Sequence, residues 1–182
     1  MEVIKTPIKD LLIIKNNIFN DERGFFFESY NERQFINAGI PMKFVQDNQS
    51  LSKYGVIRGL HYQLEPYAQT KLVRVLQGKI FDVAVDIRKK SPTFGQWYGI
   101  EISDKNLIQF LIPKGFAHGF SVLSEMALVL YKCDNYYKKD AERGIIYNDK
   151  TLNINWQISN KNILVSQKDK GMPIFANAEM NF

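Results

Sequence analysis

The sequence holds a single cysteine, Cys133, and only two histidines, His61 and His118. One cysteine excludes an internal disulfide framework and any cysteine-based zinc site. Set in an apolar run, Cys133 reads as a small core residue. No apolar run approaches the roughly 20 residues needed to span a bilayer, stretches such as Leu11-Leu12-Ile13-Ile14 being far too short. The segment Met1-Glu2-Val3-Ile4-Lys5-Thr6 carries charge where a secretory leader needs apolar residues, so a cytoplasmic protein is expected. Repeats, low-complexity tracts and Pro/Gly/Ser-rich linkers are lacking too, and 182 residues suit one domain covering 1–182. A strong charge of one sign is also missing. The 24 Lys and Arg against 19 Asp and Glu leave +5, spread along the chain. That balance fits either a solvated basic surface or attraction for a small anionic ligand. No basic cluster sits on a nucleic-acid reading element.

What the chain does have is aromatic residues, at 13%, and a period of two in its apolar positions, the mark of strands with one covered face. In Phe81-Asp82-Val83-Ala84-Val85-Asp86-Ile87 the residues Phe81, Val83, Val85 and Ile87 share one face, opposite Asp82, Ala84 and Asp86. Lys71-Leu72-Val73-Arg74-Val75-Leu76 precedes it as another strand, with Gln77-Gly78 as the turn. Further strands are expected over Trp97–Ile102, Ile108–Ile112, Phe120–Val122 and Ala127–Tyr131. One short helix is expected after Asn31, with Gln34 completing a capping box and Gly39 as the stop. A second helical candidate lies between Leu164 and Ala178, broken by Pro173. Many strands and few helices predict an all-β sandwich or barrel, best drawn as a jelly roll with short peripheral helices.

Four clusters could carry chemistry. In Asp21-Glu22-Arg23-Gly24-Phe25-Phe26-Phe27-Glu28, Arg23 either closes the turn of an edge strand or offers its planar fork to a phosphate. Gln46-Asp47-Asn48-Gln49-Ser50 and Gly55-Val56-Ile57-Arg58-Gly59-Leu60-His61-Tyr62-Gln63 bring amides, an arginine and a histidine together. The glycines flanking this arginine allow bending or close approach. His61 alone reads as a hydrogen-bonded structural histidine or as a base. Pro113-Lys114-Gly115-Phe116-Ala117-His118 has a Pro-x-Gly-x-x-His spacing that resembles the second motif of the cupins, which are jelly-roll barrels. Tyr131 closes an apolar run shortly before Tyr136-Tyr137, and reads as core packing or as an acid. A metal-binding cupin needs about three imidazoles and a carboxylate. With two histidines in all, and Gln63 where another of the first motif would fall, that set cannot be completed. A metal-free barrel is expected.

The ordered motifs Arg58–Gln63, Lys71–Val75, Phe81–Arg88, Ser91–Trp97, Pro113–Phe120, Tyr131-Lys132, Tyr136-Tyr137, Asn148-Asp149 and Lys168-Asp169 resemble the dTDP-4-dehydrorhamnose 3,5-epimerases of deoxysugar biosynthesis over nearly the whole chain. The resemblance implies a cupin-type homodimer that works without metal or nicotinamide cofactor on a dTDP-4-keto-6-deoxyhexose, at C3 and C5. A single-centre 3- or 5-epimerase on a related nucleotide ketosugar is the alternative, and a catalytically silent sugar-binding or metal-binding cupin a third reading from another class. By the same resemblance His61 is the general base, Asp169 its carboxylate partner, Tyr131 the general acid and Lys71 the group beside the C4 oxygen. Arg23, Glu28, Gln46, Asn48, Arg58, His118, Glu142 and Lys168 match nucleotide-sugar positions, with the Arg23–Glu28 segment expected from the partner subunit into a shared nucleotide pocket. The chain departs from the pattern at Lys138-Lys139, where relatives commonly carry a proline, and at Leu64-Glu65-Pro66-Tyr67-Ala68, which is individual. The residue types suit the reaction. C3 and C5 both flank the C4 ketone, so one ammonium at its oxygen serves either enolate. Histidine, with an ordinary pKa near about 6.5, takes protons at neutral pH.

Overall fold

The computed structural model describes residues 1–182. Along the chain run β1 (Glu2–Lys5), β2 (Leu12–Lys15), β3 (Phe19–Asp21), β4 (Gly24–Phe26), α1 (Glu32–Asn37), β5 (Gln46–Lys53), β6 (Val56–Gln63) and β7 (Lys71–Gln77). Then follow β8 (Lys79–Asp86), β9 (Trp97–Ser103), β10 (Gln109–Ile112), β11 (Phe116–Val122), β12 (Met126–Cys133), β13 (Glu142–Gly144), β14 (Leu164–Val165) and α2 (Gln167–Lys170). The expected strands are all present, most of them longer than the sequence pattern marks.

Two sheets make the jelly roll. One has the order β1-β2-β10-β7-β12-β5 and the other β13-β6-β11-β8-β9, with β14 pairing alongside β6. Apolar side chains from both, among them Val73, Val75, Phe110 and Val129 facing Ile80, Ala84, Ile102 and Phe120, form the core between them. The remaining faces are covered as well. Phe35 of α1 and Ile40 pack on Ile14, Leu72 and Leu111 outside the first sheet. The C-terminal segment lays Ile145, Leu152, Trp156 and Met180 over Leu60, Phe81, Val83 and Val85 of the second. Each fully covered large apolar side chain removes about 1.5–3 kcal/mol worth of surface from water.

With the barrel core on one side and this second cover on the other, the sequence reading of β8 as a strand with one buried face is corrected. Both faces are buried: Phe81, Val83, Val85 and Ile87 lie under the C-terminal segment, while Ala84 points into the barrel, and Asp82 and Asp86 are fully buried. Period two survives because the two faces meet different surroundings, apolar on one and partly polar on the other.

The first helix forms as expected, with one difference. The Asn31 side chain accepts from the N–H groups of Arg33 and Gln34, and Gly39 follows with φ +80. However, the Gln34 carboxamide donates to Glu28 Oε2 at 2.6 Å instead of closing the box. The second helical candidate is corrected further. Residues 164–178 hold the two-residue β14, the single turn α2 and a 3-10 turn at Phe175–Asn177. Pairing of Leu164 and Val165 with β6 outweighs weak helical propensity there.

Candidate active site

The site begins with an irregularity in β6. Across the β6–β11 ladder His118 faces His61, yet Phe120 faces Arg58, so β6 spends one residue more than β11 over that interval. That is a β-bulge, and Gly59 sits in it with φ +131. A Cβ on Gly59 would lie 2.5 Å from the Gly119 Cα and 2.8 Å from the His118 carbonyl oxygen. The two backbones therefore meet at paired glycines, as the glycines beside Arg58 suggest. The extra residue shifts the side-chain alternation by one. Ile57 and Leu60 both pack under the C-terminal cover, while Arg58 and His61 both reach the cavity.

Two histidine–carboxylate pairs stand side by side on these strands. His61 Nε2 lies 2.8 Å from Asp169 Oδ1, and the Gly59 N–H donates to Asp169 Oδ2 at 3.4 Å. Ser166 caps α2 by accepting from the Asp169 N–H, which fixes that carboxylate beside the bulge. Burial alone would raise the Asp169 carboxyl, but the bonds from His61 and the Gly59 N–H outweigh it and hold it below the usual range. Asp169 is thus an acceptor, so His61 carries its proton on Nε2 and leaves Nδ1 basic. His118 Nε2 pairs with Asp82 Oδ1 at 2.5 Å in the barrel interior. Burial pushes the His118 imidazolium down despite Asp82, and Asp82 Oδ2 has no partner.

Lys71 and Tyr131 approach from the first sheet. Strand alternation places Lys71 with Val73 and Val75 on the barrel side of β7, and the Lys71 Nζ stands 5.8 Å from the centre of the Tyr131 ring. Burial lowers the Lys71 pKa, only partly countered by Cys133, Asp82 and Glu142. Burial raises the Tyr131 phenol, with Arg58 opposing. The Cys133 thiol, buried in the wall beside Lys71, is pushed up to about 11.

His61, Lys71 and Tyr131 line two adjoining hollows. One, of about 580 Å³, also holds Asp169, Arg58, His118, Lys168 and Phe120. The other, of about 380 Å³, holds Gln46, Asn48, Gln63, Tyr137 and Glu142. The three shared residues stand on the boundary between a cationic half and an amide-rich half. Glu142 joins the halves: its Oε2 accepts from Lys168 Nζ at 2.6 Å and from the Tyr137 hydroxyl at 2.9 Å. These bonds hold the Glu142 carboxyl below its ordinary value although burial would raise it.

Ten of the twelve residues singled out from the sequence therefore meet around one cavity. Arg23 and Glu28 do not. Arg23 sits in the turn of the exposed β3–β4 hairpin, bonded to Asp21, and Glu28 accepts from Asn31 and Gln34 at the start of α1. The sequence reading missed Asp82, Ser50, Lys53 and Ser166. Ser50 stood within the Gln46–Ser50 run, whereas Asp82 read as the open face of β8, and Lys53 and Ser166 carry no signal of their own. The His, Cys, Asp and Glu side chains nowhere gather in threes fit to hold a metal ion.

Fold and cavity together define the class: a cupin-type jelly roll with acid–base groups and cations converging inside its barrel. A family model described as dTDP-4-dehydrorhamnose 3,5-epimerase matches residues 5–177. The chain belongs to that family. It is 56% identical over 180 residues, covering 98% of both chains, to the dTDP-4-dehydrorhamnose 3,5-epimerase of Shigella flexneri. Among solved structures, that of the enzyme so named from Elizabethkingia anophelis superposes with a TM-score of 0.94 at 50% identity, over 97% of each chain. The dTDP-6-deoxy-D-glucose-3,5-epimerase of Legionella pneumophila, solved with dTDP-4-keto-L-rhamnose, gives a TM-score of 0.93 at 50% identity over 97% of this chain and 93% of that one.

Proposed function

We propose that the chain is a dTDP-4-dehydrorhamnose 3,5-epimerase, which inverts C3 and C5 of dTDP-4-keto-6-deoxyglucose on the way to dTDP-L-rhamnose. The observation that carries this reading is the convergence of the dyad imidazole of His61, the Lys71 ammonium and the Tyr131 phenol on one cavity. His61 Nδ1 takes the proton from C5 or C3, and the electron pair passes to the C4 oxygen as an enolate. Lys71, in a poorly solvated wall, offers positive charge to that oxygen where its field is least screened. Tyr131 returns a proton to the opposite face of the ring. Its raised pKa keeps the phenol protonated at neutral pH, ready to donate to a strongly basic carbon. Exchange with solvent then resets both groups for the second centre.

Arg58 and Lys168 suit the diphosphate, whose anchoring holds the sugar at reacting distance. Gln46, Asn48, His118 and Glu142 supply polar contacts to the rest of the ligand. Arg23 and Glu28 take their place in the nucleotide pocket of a second copy, which makes the working unit a homodimer. Its single domain needs no cofactor in this scheme. No helix is long and apolar enough to cross a membrane, and a cytoplasmic site of action fits a nucleotide-sugar substrate.

The test is incubation with dTDP-4-keto-6-deoxyglucose in heavy water, followed by proton NMR. Deuterium at both C3 and C5 is expected. Deuterium at one carbon marks a single-centre epimerase, and none at either rejects the assignment.

A further inference from the structure

Gln63 is buried and lines the cavity, yet both its amide hydrogens and its carbonyl oxygen are engaged within the protein. Its Nε2 donates to the Tyr67 carbonyl at 2.7 Å and to the Tyr136 carbonyl at 3.2 Å. Its Oε1 accepts from the Lys138 N–H at 2.6 Å. One carboxamide thus ties two exposed loops, the turn at 64–68 and the segment 136–138, to the end of β6. Between the carbonyl of Tyr136 and the N–H of Lys138 hangs Tyr137. The Tyr137 N–H donates to Gln46 Oε1 at 3.0 Å, and its hydroxyl meets Glu142, which also holds Lys168. Glu142 is moreover the cross-strand neighbour of Gln63 in the β13–β6 ladder.

We propose that Gln63 is a positioning residue for substrate binding, a clasp that holds the Tyr137 loop as the wall of the amide-rich half of the cavity. The cationic half of the cavity lies on the other side of His61, Lys71 and Tyr131, and these three stand at ladder-paired positions of β6, β7 and β12 and not on the loops that the clasp holds. Loss of the clasp therefore weakens ground-state binding and leaves the bound reaction intact. The loops stay joined at their base, because Gln69 Nε2 donates to the Asn135 carbonyl and Asn135 Nδ2 to that of Pro66. Only the tip bearing Tyr137 is freed.

This kinetic argument rests on the proposed epimerase reading, so the experiment has two arms. Gln63→Met keeps the length and apolar stem and removes all three bonds. It is expected to raise KM for dTDP-4-keto-6-deoxyglucose about tenfold, the size of losing one or two buried hydrogen bonds, with kcat changed by no more than about twofold. Tyr137→Ala should do the same, and the double variant should be no worse than the poorer single one, because both remove one wall. The second arm needs no activity. Lys138 and Lys139 are exposed in the freed tip, so limited trypsin digestion should nick Gln63→Met there several-fold faster than the parent, at unchanged melting temperature. Should Gln63→Met fail to fold, Gln63→Asn carries both arms, since the shorter amide cannot span both loops. Unchanged KM and unchanged nicking overturn the proposal, as does a fall confined to kcat or multiplicative effects of the two substitutions. Faster nicking in a chain with no epimerase activity keeps the clasp and sinks the proposed reaction instead.

Discussion

At Lys71, stability and chemistry pull in opposite directions. Placing an ammonium in the barrel wall costs solvation, and the charges around it repay only part, which is why its pKa is lowered. Lys71→Met should therefore raise the melting temperature by a few degrees, about 1 kcal/mol, while ending proton exchange; a variant that melts lower contradicts the argument. The sign for pH follows from the same burial. A lowered pKa means the ammonium is lost on raising pH before an ordinary lysine, at about 10.4, would lose it. The pH profile of kcat should accordingly show an alkaline limb below that value, and a profile flat up to it would refute the role at C4. In the proposed scheme His61 and Tyr131 divide the remaining work. His61→Ala should abolish deuterium uptake at both carbons, whereas Tyr131→Phe should spare exchange more than completed inversion, read side by side in one NMR time course. His61 and Tyr131 were legible as residue types beside glycines and at a strand end. Asp82 was not, since an acid in an apolar strand looks the same whether it faces water or a buried imidazole.

Among the elements, β6 shows how a single glycine aims a site. With a regular ladder, Arg58 and His61 would point to opposite faces; the bulge at Gly59 turns both inward. Gly59→Ala meets both a positive φ and a backbone 2.5 Å away. It should destabilise by about 3 kcal/mol or more and cost activity beyond the loss of folded protein, measurable by urea unfolding alongside specific activity. The sequence pattern around Gly55 and Gly59 signalled bending, but could not say that alternation shifts by one, because register depends on β11. The burial of the other face of β8 was hidden for a related reason. Asp82, Ala84 and Asp86 look like the open side of a half-covered strand, and nothing within β8 itself announces the opposite sheet. Residues 164–178 misled because a strand of two residues and a helix of four are too short to leave a period.

Seen whole, the chain carries all the acid–base groups of the proposed scheme in one barrel, while Arg23 and Glu28, proposed for nucleotide binding, stand outside it. If Arg23 serves the neighbouring copy, two inactive variants should complement each other. Mixing Arg23→Ala with His61→Ala under subunit exchange gives hybrids with one intact site, so about a quarter of parental activity should return by random pairing. No recovery, with exchange verified by mass, would place Arg23 in its own subunit or nowhere in the site. The overall jelly roll could be foreseen because strand period and motif order span the length of the chain, whereas assembly leaves no such period.

The hairpin that bears Arg23 carries a further cost. Phe19, Phe25 and Phe26 are 64%, 56% and 68% exposed there, and each ring left wet forgoes a share of the roughly 1.5–3 kcal/mol its burial would yield. If the proposed pairing covers these rings, a solitary chain is adhesive. In very dilute solution the protein should lose specific activity and cling to vessel walls, and a trace of mild detergent or carrier protein should prevent the adsorption without restoring a paired site.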